Sequence, residues 1–143
     1  MKRAEDAQTV QILLVDDNEL DARTMMRAGD QLSFLNEIEH VTSGEAALEY
    51  LEACVQTGTL PDLMVLDLDL PGIDGLDVLR ALSSEMQTRQ IPVVMMTTSA
   101  FSADIAYAHG AAAYVTKPVG LEGWDELVQN IDEFWFSRGR DRN

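Results

Sequence analysis

Four short apolar runs, each closed by a polar or charged residue, constrain this chain more than any other feature. They are Val10–Val15 before Asp16 and Asp17, 63–66 before Asp67, 93–96 before Thr97, and Ala113–Thr116 before Lys117. Runs of this length, apolar almost throughout, suit strands covered by helices on both faces. In an open parallel sheet the carboxyl ends of the strands line the crevice where ligands bind. The pattern therefore predicts a reaction centre assembled from strand tips.

The intervening segments read as helices or as weaker strands. Helical spacing of Leu20, Met25 or Met26 and Ala28 follows Glu19 and runs to about Asp30, with Gly29 as an early stop signal. Residues 37–41, with Ile38 and Val41 among polar neighbours, suit an edge strand. Ser43 caps a helix that carries Ala47, Leu51 and Cys54 and closes at Gly58. Pro71 and Gly72 turn the loop after Asp67 into a helix over 76–84. A fourth helix is expected from Ser102 through Ile105 and Tyr107 to Gly110. A last one is expected from about Leu121 or Trp124 to Phe136. Five such alternations with short links predict an α/β fold, a flavodoxin-like three-layer (βα)5 sandwich with parallel sheet order 2-1-3-4-5.

With 143 residues and 46% apolar content, the chain is sized for one core. The expectation is a single domain over 1–143, with a core of about 10–136 and a polar tail from 137. A net charge of -15 opposes binding to nucleic acid or to an anionic membrane. Cys54 is the only cysteine, so no intrachain disulfide can form, which suits a reducing compartment. There is no apolar leader and no run of eighteen apolar residues, so a soluble, cytoplasmic protein is expected.

In the predicted sheet order Asp16, Asp17 and Asp67 share one crevice. Carboxylates at such range repel, so either their pKa values rise or a cation sits among them. All candidate ligands are oxygens, and His40 and His109 fall elsewhere, which favours magnesium over zinc. Asp17 would bind the ion directly and Asp16 through water, with the backbone carbonyl of Asp69 as a further ligand. A carboxylate beside such an ion can attack phosphorus, and Asp67, central in the sheet, is the best candidate. Lys117 would neutralise phosphoryl oxygens, and the Thr97 hydroxyl would donate to one of them.

These residues stand in segments that closely resemble the receiver domains of two-component response regulators: Leu14-Val15-Asp16-Asp17, Val65-Leu66-Asp67-Leu68-Asp69-Leu70-Pro71-Gly72, Pro92-Val93-Val94-Met95-Met96-Thr97-Thr98-Ser99 and Ala113-Tyr114-Val115-Thr116-Lys117-Pro118. The resemblance implies a phosphoacceptor signalling protein that is not an enzyme in the usual sense. Asp67 would take a phosphoryl group from a sensor histidine kinase or a small donor. It also implies a cis Lys117-Pro118 bond and a switch in which Thr97 and Tyr114 move together and reshape the face of the fourth helix, fifth strand and fifth helix. Asp69, two residues after the acceptor, and Thr98, after the switch threonine, depart from common choices there and bear on the lifetime of the phosphoryl group.

A narrower resemblance, carried by Thr97-Thr98-Ser99, Tyr114-Val115-Thr116-Lys117-Pro118 and the ending Ile131-Asp132-Glu133-Phe134-Trp135-Phe136, is to the single-domain regulators of cyanobacterial-type bacterial phytochromes. It implies a phytochrome kinase as partner and a homodimer, formed through the fourth helix/fifth strand/fifth helix face or the C-terminal helix. Phe134, Trp135 and Phe136 cannot all face one core from a regular helix, which points the same way. Two other functions compete: a magnesium-dependent phosphohydrolase of the haloacid-dehalogenase type, on Asp67-Leu68-Asp69, and an adaptor that uses the receiver fold without phosphorylation.

Overall fold

A computed structural model describes residues 9–97, 107, 110–118 and 123–141, the side chains of 138–141 excepted. Its strands are β1 (Val10–Val15), β2 (Asn36–Val41), β3 (Leu63–Asp67), β4 (Val93–Thr97) and β5 (Ala113–Thr116). They form one parallel sheet in the order β2-β1-β3-β4-β5, as the sequence predicts. Helices α1 (Glu19–Ala28), α2 (Gly44–Thr57), α3 (Gly75–Ser83) and a C-terminal helix (Gly123–Asp141) complete the described elements, with a short 3-10 turn at Gly29–Gln31.

Alternation along each central strand divides the core into two layers. Ile12, Leu14, Val65, Val94, Met96 and Val115 pack toward α1 and the C-terminal helix, against Ala22, Met25, Leu127 and Ile131. Leu13, Val15, Met64, Leu66, Val93 and Met95 pack toward α2 and α3, against Ala47, Leu51, Val78 and Leu79. Both faces of β3 and β4 are covered, so every residue in them is buried. β2 alternates between half-buried and exposed, as an edge strand should. The methionines divide in the same way. Met25, Met64, Met95 and Met96 fill the core, whereas Met26 and Met86 are exposed.

Helix boundaries follow local chemistry. The side chain of Asn18 accepts from Asp21 N and starts α1, and Ser43 accepts from Ala46 N and starts α2. Gly58, at φ 72°, takes the left-handed conformation that closes α2. Asp74 and Asp77 form a reciprocal capping box that starts α3 one residue before the expected Leu76. Gly75 is needed at that start, because a Cβ there would lie 2.5 Å from the Asp67 carbonyl oxygen. The helix thus packs its first turn directly beneath the acidic crevice.

Three expectations need correction. α1 ends at Ala28, since the chain tightens into the 3-10 turn where Gly29 weakens the helix. The C-terminal helix continues to Asp141, so most of the expected polar tail keeps helical backbone; polar residues can extend a helix into solvent without a face to bury. The Lys117–Pro118 bond is trans, the isomer favoured by about 0.5–1 kcal/mol before proline. The helix expected over 102–110 lies outside the described residues except for Tyr107, which is helical, and Gly110, in a turn. Thr98, Ser99 and His109 also lie outside them.

Candidate functional site

Register brings the strand tips level. Val15 pairs with both Val41 and Leu66, Asp67 with Met96, and Thr97 with Thr116, so the residues that follow emerge at one end of the sheet. Asp16 is fully buried there, with its backbone N–H donating to Val41 O at 3.1 Å and its carbonyl 2.8 Å from His40 Nε2. Asp67 is equally buried, and Asp17 is exposed beside them. One carboxylate oxygen from each of Asp16, Asp17 and Asp67 falls within 4.8 Å of the others. The sequence places all three in one crevice, and the structure brings them there.

Lys117 closes the cluster from β5. Its backbone N–H donates to Thr97 O at 2.6 Å, which fixes where the side chain leaves the sheet. The buried amine donates to Asp67 Oδ2 at 2.7 Å and to Asp16 Oδ1 at 3.2 Å, and pairs with Asp21 Oδ2 at 3.1 Å. Burial works against its charge, yet the hydrogen bond and charge of Asp67, joined by Asp16, hold its pKa above the ordinary lysine value. The amine is a fixed cation at neutral pH.

The carboxylates are held from the other side by backbone. Asp69 N donates to Asp67 Oδ1 and Asn18 N to Asp16 Oδ1, each at 2.9 Å. Asp16 Oδ2 lies 3.1 Å from Lys117 Nζ but outside hydrogen-bond geometry, and among the described residues it is the buried side-chain oxygen that accepts no hydrogen bond. Burial lifts the Asp16 pKa above the usual carboxylate value, although Asn18 and Lys117 pull the other way. A buried, unsatisfied carboxylate oxygen facing two further carboxylates fits a hard divalent cation and its oxygen-rich coordination. The donor set therefore suits the ion that the sequence predicts.

A second group meets at the mouth. The Thr97 hydroxyl donates to Asp69 Oδ2 at 3.2 Å, and Tyr114 shares a hydrogen bond with Thr97. Burial pushes the Tyr114 phenol up, with the Thr97 bond opposing. Thr97 and Tyr114, which the resemblance pairs as a switch, are thus physically joined, and Asp69 terminates the chain.

Two participants escape sequence reading. His40 supports the Asp16 carbonyl from the edge strand. Asp21, in the first turn of α1, adds a further carboxylate to the Lys117 amine. The available signal for Asp21 was its place four residues past Asp17.

Comparison with known proteins agrees with this geometry. Residues 12–132 match the response regulator receiver domain. The chain is 39% identical to the probable methanogenesis regulatory protein FilR2 of Methanothrix harundinacea, over 90% of this chain and 85% of that protein. It is 32% identical to response regulator Rcp1 of Synechocystis, over 87% of each. The phosphorylated cyanobacterial phytochrome response regulator RcpA superposes with a TM-score of 0.81 at 34% identity, covering 91% of this chain and 96% of that one. Rcp1 in its Mn2+-bound form gives a TM-score of 0.79 at 31% identity, covering 88% of this chain and 94% of that one. Among the described residues no helix is long and apolar enough to cross a membrane. A parallel five-stranded sheet with acidic strand tips around a buried lysine, and a match running through nearly all of it, lead to one assignment: the chain belongs to the response regulator receiver domain family of two-component signalling systems.

Proposed function

We propose that this protein is a single-domain response regulator over 1–143 that accepts a phosphoryl group on Asp67 from a sensor histidine kinase and signals through a phosphorylation-dependent binding surface. The observation that carries this reading is the Lys117 amine, buried and shared between Asp67 and Asp16 at the tip of the central strand. In the transfer, an Asp67 carboxylate oxygen forms a bond to phosphorus as the bond from phosphorus to the donor nitrogen breaks, the nitrogen keeping the electron pair. Lys117 would donate to a phosphoryl oxygen, and Thr97 would exchange Asp69 for another. Tyr114, joined to Thr97, would follow it and alter the face around β5, biasing an equilibrium that exists without phosphate.

Asp16, Asp17, Asp67 and the Asp69 carbonyl would hold magnesium. Bound there, the ion supplies positive charge that offsets the negative charge of the phosphoryl group. The chain would catalyse only its own phosphoryl uptake and slow loss. A phytochrome kinase is the partner supported by likeness to the cyanobacterial phytochrome response regulator RcpA, and a cytoplasmic location suits that partnership. A homodimer through the fourth helix/fifth strand/fifth helix face or the C-terminal helix is supported by Phe136, which is 48% exposed. Sedimentation at micromolar concentrations should show dimer in at least one phosphorylation state; monomer in both would reject that part.

Intact-mass analysis with acetyl phosphate and magnesium tests the acceptor. Wild-type protein should gain the mass of one phosphoryl group, and Asp67→Asn should gain none while keeping its fold by circular dichroism. Full labelling of the variant would overturn the assignment.

A further inference from the structure

Asp21 is the one carboxylate on the Lys117 amine that none of the roles above uses. Its oxygen and that of Asp67 hold the same nitrogen, at 3.1 and 2.7 Å, so they are at most about 6 Å apart. It differs from the other two in exposure. The side chain of Asp21 is 29% accessible, against 1% for Asp16 and 2% for Asp67, which puts it on the solvent side of the amine. A lysine amine has three N–H donors. Asp67 and Asp16 accept two of them, and Asp21 stands 3.1 Å away as an ion-pair partner beside the third.

Lys117 does not need Asp21 to stay in place. Two buried carboxylates hold it, and its backbone N–H is fixed to Thr97. What Asp21 adds is negative charge at the entrance, on the solvent side of the amine. Within about 6 Å and partly shielded from water, one unit charge changes the local concentration of a small anion severalfold.

On the phosphoacceptor reading given above, we infer that Asp21 is a specificity-determining residue that selects against free, doubly charged phosphodonors and leaves transfer to a phosphohistidine carried in by a docked protein. A docked donor brings its phosphoryl group with the interface energy of two proteins, so the mouth charge weighs little on it. A free dianion has no such compensation. The chemistry at phosphorus is unchanged: the Asp67 oxygen bonds to phosphorus while acetate departs from acetyl phosphate, or ammonia from zwitterionic phosphoramidate, with the bonding pair.

Two small donors of different net charge separate this from a structural role. Acetyl phosphate is a dianion at neutral pH, and phosphoramidate carries one net negative charge. Labelling rates with each, in magnesium, should be measured for wild type, Asp21→Asn and Asp21→Glu. The backbone cap of α1 survives both changes, since Asp21 contributes its N–H there and not its side chain. Asp21→Asn should raise the acetyl phosphate rate by about three- to tenfold and the phosphoramidate rate by clearly less. The gain should shrink as salt rises from about 0.05 to 0.5 M. Asp21→Glu should keep the wild-type ratio. Equal changes for both donors, a gain insensitive to salt, or a slower Asp21→Asn with acetyl phosphate would each overturn the inference. Absence of labelling with either donor in Asp21→Asn as well as in wild type would instead remove the acceptor role of Asp67 itself.

Discussion

The two ends of the sheet are built on opposite principles. At the carboxyl end, Asp16, Asp21 and Asp67 gather around one lysine with Asp17 beside Asp16 and Asp67, an arrangement in which like charges repel and buried oxygens lose water. At the amino end, Phe34 lies 5.9 Å from Trp135 and 6.3 Å from Phe136 between ring centroids, and Asp132 accepts from both Ser33 N and Ser33 Oγ. That end tethers the C-terminal helix to the link between the 3-10 turn and β2. One end stores unfavourable electrostatics and the other offsets them with packing. Chemistry is to be expected where the fold spends stability, and mechanical support where it gains it.

The largest break in that contrast should come from Lys117→Met. Removal of the amine leaves Asp16 and Asp67 buried without a countercharge, so chemical denaturation without divalent ions should show a loss of about 3–5 kcal/mol. Millimolar magnesium should restore part of it, because a cation among the carboxylates replaces the missing charge. Wild-type stability in the variant without divalent ions would mean that the crevice carries little strain. At the other end, Trp135→Ala should cost about 1–3 kcal/mol, since the ring is only partly buried and the aromatic contact adds modestly to its area. Labelling by acetyl phosphate should be unchanged in that variant. A parallel fall in labelling would show that the two ends are coupled and would dissolve the comparison.

The strand-tip end was legible in the sequence, and the aromatic end largely was not. β3 and β4 are apolar throughout because both faces are covered, and each polar residue that ends a strand therefore stands out against its run. Caps such as Ser43 and stops such as Gly58 are local, so their signals sit within a few residues of their effects. The Asp21–Lys117 pair, the Phe34–Trp135 contact and the Ser33–Asp132 bonds join segments far apart in the chain. No periodicity encodes such pairs; they depend on how helices settle on the sheet. The aromatic run 134–136 did announce that one ring must leave the core. The structure divides the three rings: Phe134 and Trp135 pack against the core layer, and Phe136 remains exposed.

The central claim is that Asp67 is the atom-level destination of the phosphoryl group. Borohydride reduction of protein labelled with acetyl phosphate and magnesium, followed by peptide mass analysis, tests it most directly, because reduction of an aspartyl phosphate leaves homoserine at the modified position. The account predicts homoserine at position 67 and none at 16, 17, 21 or 69. Homoserine at any of those four positions, with 67 intact, would contradict it.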